Sequence, residues 1–204
     1  QKEERFGKFQ SEFFAGLVWT LGAMAAERVF YNENSQGVGG DVFSATAEAA
    51  FMVGASAMGP QPFDVTPLDG ESEDEARRRV LDRFERLGTQ IMNRTSGGSM
   101  LSENPVAGAL SDPAKRRTAC QILGQAYATA HNLTIQNRAA IEKVADALLE
   151  KREIFGDDLL QLLESAEIVV PAIDWNDEAS WPSTFFAALP QQRPAALPVG
   201  EGRP

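Results

Sequence analysis

The sequence predicts an all-α fold of about five to six helices, followed by an irregular proline-rich C-terminal tail. Three observations carry that expectation. Apolar residues recur at helical spacing in successive segments up to about residue 165, and helix-start signals head several of those segments. From Val169 the composition turns to tryptophan and proline, which divides the chain into a helical domain over residues 1–168 and an extension over 169–204.

From about Lys8 to Phe30, residues Phe9, Phe13, Leu17, Leu21 and Met24 fall on one stripe, with Phe14, Val18, Ala25 and Val29 beside it. Small residues on the same segment, Gly16, Gly22, Ala23, Ala25 and Ala26, leave room for a second helix to approach. Gly37, Gly39 and Gly40 then make a flexible approach to Asp41, which is placed to cap a second helix running to Met58 and stopped by Pro60 and Pro62. Val42, Ala45, Ala49, Met52 and Val53 are its apolar positions. After a loop over 59–70, Ser72 and Glu75 form a capping-box pattern for a third helix, with Val80, Leu81, Phe84, Leu87 and Ile91 inward and its charges in water.

Residues 94–110 carry glycine, serine and proline without a period and read as a long loop. Asp112 and Pro113 supply an N-cap and a first-turn proline for a helix in which Ala119, Ile122, Leu123, Ala126, Tyr127, Ala130 and Leu133 share one side. Ile141, Val144, Ala145, Leu148 and Leu149 repeat the logic to about Lys151, and Asp157 caps a short last helix through Leu163. Beyond Val169 the prolines block helix. Phe185, Phe186 and Leu189 could dock this tail onto the domain or a neighbouring subunit, the alternative being a partly ordered extension.

At 204 residues, 43% hydrophobic and 24% charged, the chain has the composition of a soluble globular domain. Its net charge of -10 argues against nucleic acid or an anionic membrane surface as partner, since both need a basic footprint. The single cysteine, Cys120, cannot form an internal disulfide and reads as a core thiol. The longest apolar run, Phe13 to Ala26, is shorter than the roughly 20 residues a bilayer crossing needs, so no membrane segment is expected in this chain. Gln1 in place of methionine suggests a processed chain or an excised piece. No GxxxxGK[ST] pattern occurs, so these residues do not bind ATP as a P-loop does, and no cofactor-binding residue is expected.

Three stretches together resemble the peptidase region of FtsH-type membrane-anchored ATP-dependent zinc metalloproteases. That family carries a glycine-alanine-glutamate segment, then TGAxNDLxxAT, then AxxMVxxxGM. Here these read Leu21-Gly22 with Ala25-Ala26-Glu27, then Gly37 to Val42 with Ala45-Thr46, then Ala49, Met52-Val53 and Met58. Towards the C-terminus, Ala126 to Ala130, Asn137-Arg138 and Ala145 to Asp158 resemble the family's AYxxA, NR and AxxLLExExLxGxE. The match spans about residues 10 to 165. Departures mark a divergent member: Ala23, Met24 and Arg28 are altered, the Thr and Asn of the turn are Gln36 and Gly40, and the Gly before Met58 is Ala57.

The resemblance implies a homo-oligomer, hexameric in the family, that cuts unfolded protein substrates delivered by an ATPase motor in a separate upstream domain. It also implies a place on the cytoplasmic side of a membrane-anchored parent, in bacteria the inner membrane. Zinc in this family needs the two histidines of HExxH, and this chain has one histidine, so it is expected to be inactive alone, with no catalytic residue. Truncation and degeneration of that motif both remain open, as does the alternative of a non-catalytic scaffold or partner-binding subunit. An unrelated helical interaction module is a third reading.

By the resemblance, Asp41 falls on the position of the family's third zinc ligand, while by residue type it is equally a favoured N-cap. Glu27 is either an acid orienting that site or a solvated or ion-paired residue. His131 lacks an acidic or histidine partner at helical spacing and reads as an ordinary surface histidine, and Met24, Met52 and Met58 are spaced as core filler.

Overall fold

In the computed structural model, residues 7–92, 105–170, 177, 181 and 182 are described. They form α1 (Gln10–Thr20), α2 (Gly22–Tyr31), α3 (Gly39–Ser56), α4 (Glu73–Ile91), α5 (Pro105–Ser111), α6 (Pro113–Gln136), α7 (Arg138–Lys151) and α8 (Gly156–Ser165), with a 3-10 turn over Gln36–Val38 before α3. No strand occurs among the described residues, in keeping with an all-α fold.

The centre is α6, buried on most sides from Ala119 to Ala130 and flanked by α1, α2, α3, α4 and α5. Leu17 and Leu21, Ala45, Ala49 and Met52 of α3, and Ile122, Leu123 and Ala126 of α6 form the first core. Each of the larger side chains contributes about 1.5–3 kcal/mol by leaving water. In a second cluster Phe84 lies between Phe63, edge-on at 5.6 Å, and Trp181, stacked at 4.8 Å. Phe185, Phe186 and Leu189, offered as docking residues, lie outside the described residues.

The closest helix approach joins α4 to α6. A Cβ added to Gly88 would stand 1.8 Å from the Cys120 carbonyl oxygen, and one added to Gly124 would stand 1.9 Å from that of Phe84. Backbone lies against backbone there, which only glycine permits. Cys120 itself is buried, and its thiol pKa is pushed up by that burial.

Predicted start signals are realised at two helices. Ser72 and Glu75 exchange hydrogen bonds in a capping box, and Asp112 accepts from the backbone amides of Ala114 and Lys115 with Pro113 in the first turn. Between α3 and α4 the chain is held from its flanks. Gln10 Nε2 donates to the carbonyls of Gly59 and Pro60. The fully buried Gln125 accepts from Gln61 N–H at 2.8 Å and donates to its carbonyl at 3.0 Å.

Four expectations are corrected. The single helix over 8–30 is divided at Leu21, although Leu21 N–H donates to Leu17 and Ala25 N–H to Leu21, so the rod is nearly continuous. At 22 residues, Gln10–Tyr31 is long and apolar enough to cross a membrane by length and composition, contrary to the count made on the apolar run alone. Its Leu17, Leu21 and Ala25 nevertheless sit in the protein core.

The supposed loop over 94–110 ends in α5. Proline is tolerated at a helix's first position, and Ala109 and Leu110 bury themselves against Ala50 of α3 and Met92. Finally, α3 starts at Gly39 with Val38 in the cap position, so Asp41 is in the first turn and is not the N-cap.

In the two helices after α6 little is buried: Ala140 in α7 and no residue of α8. The Asn137 amide holds this arm at its base, donating to the Val169 carbonyl at 2.8 Å and accepting from Val169 N–H at 2.7 Å. Lys143 bonds the Ser165 carbonyl, and Lys151 pairs with Asp158 at 3.2 Å.

Candidate functional site

The candidate site is the turn from α2 into α3, and its shape comes from short-range hydrogen bonds thrown back onto α2. Asn32 closes α2 in the left-handed region at φ 58°, with its carbonyl accepting from Arg28 at 2.7 Å. Asparagine is among the residues that tolerate this conformation. Asn34 Nδ2 donates to the Met24 carbonyl at 2.7 Å. Glu27 accepts from both the Ser35 amide and the Ser35 hydroxyl, each at 2.7 Å, and the Ser35 oxygen accepts in turn from Gly37 N–H.

Those two bonds to Ser35 hold the Glu27 carboxyl below the usual glutamate range, because they favour the ionised form. Glu27 is thus solvent-accessible yet held in place, and no ion pair engages it among the described residues. It fastens the turn, and the spacing of an acid eight residues before a serine carries no recognised signal that would have predicted it.

The 3-10 turn then delivers the chain into α3, with Asp41 third in the helix. The side chain is half-buried, and no hydrogen bond or ion pair engages it among the described residues. At this position the free amides and the helix dipole favour a negative charge. One turn further on, the buried Thr46 hydroxyl donates to the Val42 carbonyl at 2.7 Å. The site thus presents one carboxylate, anchored on a helix whose inner face is core.

Co-ligands are not brought to it. No group of three or more His, Cys, Asp or Glu side chains able to hold a metal occurs among the described residues. His131 is on α6 beside Tyr127, with ring centroids 6.1 Å apart. It is half-buried and not a surface histidine, its Nδ1 has no hydrogen-bond partner among the described residues, and burial pushes its pKa down. Burial also pushes the Tyr127 hydroxyl up to about 12. The residues present fit one ligand of a metal site and not a complete one.

The motif pieces fall where this geometry needs them: the AAER segment is α2, the Asp41 segment is α3, and the AYATA segment is the buried middle of α6. Comparison with known proteins agrees. An ATP-dependent zinc metalloprotease FtsH of Clostridium perfringens is 24% identical over 162 residues, covering 79% of this chain and 19% of that protein. The chloroplastic ATP-dependent zinc metalloprotease FTSH 6 of Oryza sativa subsp. japonica is 31% identical over 159 residues, 76% of this chain and 20% of its own length. A Corynebacterium glutamicum FtsH is 23% identical over 199 residues, 98% of this chain and 20% of its own. The chain spans about a fifth of the length of these curated relatives. No family model matches it, and no solved structure does.

Proposed function

We propose, from the premise that this chain is FtsH-like over most of its length, that it is the helical peptidase-type region of an ATP-dependent protein-degrading assembly. The observation that carries the reading is Asp41: a half-buried carboxylate without a partner among the described residues, held at the start of α3 by a turn that Glu27 fastens. In this reading Asp41 is one ligand of a zinc site whose histidines and general-base glutamate lie outside these residues. Zinc, when bound in such a site, activates water and polarises a carbonyl. Because the chain lacks the other ligands, it is inactive alone, and we assign it no catalytic residue.

The remaining parts of the reading are supported by the family resemblance and belong to the proposal. ATP is used by a separate domain, the substrates are unfolded proteins, and copies of this chain assemble in a ring, hexameric if it follows the family. The parent is membrane-anchored, with this region on the cytoplasmic side, in bacteria at the inner membrane. Residues 1–168 are the helical domain and 169–204 an extension, with Trp181 anchored against Phe84.

A second reading, a non-catalytic scaffold, is favoured by the absence of any metal-holding cluster among the described residues and by the altered Met24 and Gly40. The parent protein separates the two. Incubated with ATP and casein, it should degrade the substrate, stop on addition of chelator, and lose activity in Asp41→Ala while retaining ATP hydrolysis. Absence of chelator-sensitive degradation in the parent would remove the protease reading and leave the scaffold.

A further inference from the structure

Two surfaces of this chain are unusual in opposite ways. On α8, Leu160 is 59% exposed and Leu163 37% exposed, while Phe155 just before the helix is 73% exposed. Asp157 and Glu164 lie three residues before and four after Leu160, so apolar and acidic groups share one side of the helix. Among the described residues nothing covers these side chains, and leucine exposed to that extent is a feature of contact surfaces.

The other surface is a cavity of about 1020 Å³ between α4, α5 and the start of α6. Met92, Leu110, Pro113 and Cys120 give it apolar walls, and its charged lining is Arg116, Arg117 and a single acid, Glu85. Arg117 is paired with Glu85 at 3.0 Å, whereas Arg116 is exposed and has no partner among the described residues. In a chain of net charge -10, the run Lys115-Arg116-Arg117 is a local reversal of sign.

We propose that the leucine and acid face of α8 in one copy seats in this arginine-lined cavity of a second copy. Apolar side chains meet apolar walls, and Asp157 and Glu164 meet the basic lining, which sets orientation as well as attraction. A second copy is the occupant because the acids of the α8 face complement the basic residues at the cavity, while α8 does not pack substantially on α4, α5 or α6 of its own chain. Since the two patches differ, the contact is head-to-tail, which closes into a ring or continues as a filament.

This assignment rests on the reading that copies assemble, and the mass of the 204-residue chain in solution tests the two separately. Sedimentation should give a concentration-dependent oligomer. Arg116→Glu and Asp157→Arg should each weaken it on the order of tenfold, and Leu160→Asp should do so independently of charge. The double variant Arg116→Glu with Asp157→Arg should recover assembly, because the pair is restored in reverse. Circular dichroism confirms that each variant is folded, and all of these positions are exposed. An oligomer indifferent to the single variants, or one not recovered in the double variant, would overturn the interface and leave assembly standing. A chain that stays monomeric at its highest soluble concentration would overturn both.

Discussion

Replacing Gly124 by alanine tests the seam between α4 and α6. The new Cβ would lie 1.9 Å from the Phe84 carbonyl oxygen, where ordinary contact begins at 3.4 Å, so the helices must part by about 1.5 Å. The obstacle is main chain in the middle of a helix and cannot swing aside. Displacing α4 also disturbs Phe84, which stacks on Trp181 and meets Phe63 edge-on. Overpacking costs about 1–3 kcal/mol, and rigid backbone contact places this case near 3 kcal/mol. The better helix propensity of alanine returns about 1 kcal/mol, leaving a net loss of about 2 kcal/mol. For a chain of this size that lowers Tm by about 4–8 °C. Thermal unfolding followed by far-UV circular dichroism reads it directly, with Gly22→Ala as control, since nothing lies within 4 Å of a Cβ there. If Gly124→Ala matched the control, remaining neutral or gaining stability, the close-packed seam would be refuted.

Ala57 closes α3 in the left-handed region at φ 52°, so Ala57→Gly should raise stability by about 1 kcal/mol in denaturant titration. Glu27 has a lowered pKa, so its contribution is present above the ordinary value of 4.5 and is lost as pH falls through the folded-state value. The Tm gap between wild type and Glu27→Gln should therefore be largest near neutral pH and close in acid; a gap independent of pH would count against the Ser35 clamp. His131 is kept neutral by burial, so the unfolded chain takes up a proton before the folded one, and stability should fall as pH drops below about 6.5. As the only histidine, its ring signals in an NMR titration should show a midpoint below that value, and a midpoint at or above it would contradict the burial.

Most of the helices were legible in the residues themselves. Ser72 with Glu75 and Asp112 with Pro113 act within one turn, so the signal and its effect are both local. The stripe Leu17, Leu21 and the stripe Ala45, Ala49, Met52 announced buried faces because helical periodicity is a property of the chain alone. The same residues, by their resemblance, pointed to Asp41.

What the residues could not disclose depends on partners distant along the chain. Helix α5 exists because Ala109 and Leu110 find Ala50, against the local preference of a glycine- and proline-bearing segment. Glu27 is fastened by Ser35 across a turn, and Gly88 and Gly124 matter only because α4 and α6 meet backbone to backbone. The sequence by itself determined an all-α chain with Asp41 near the start of a core helix. Tertiary structure alone decided that Asp41 stands in the first turn of that helix, without a partner or co-ligands among the described residues, because caps, clefts and metal sites are set by groups that only folding brings together.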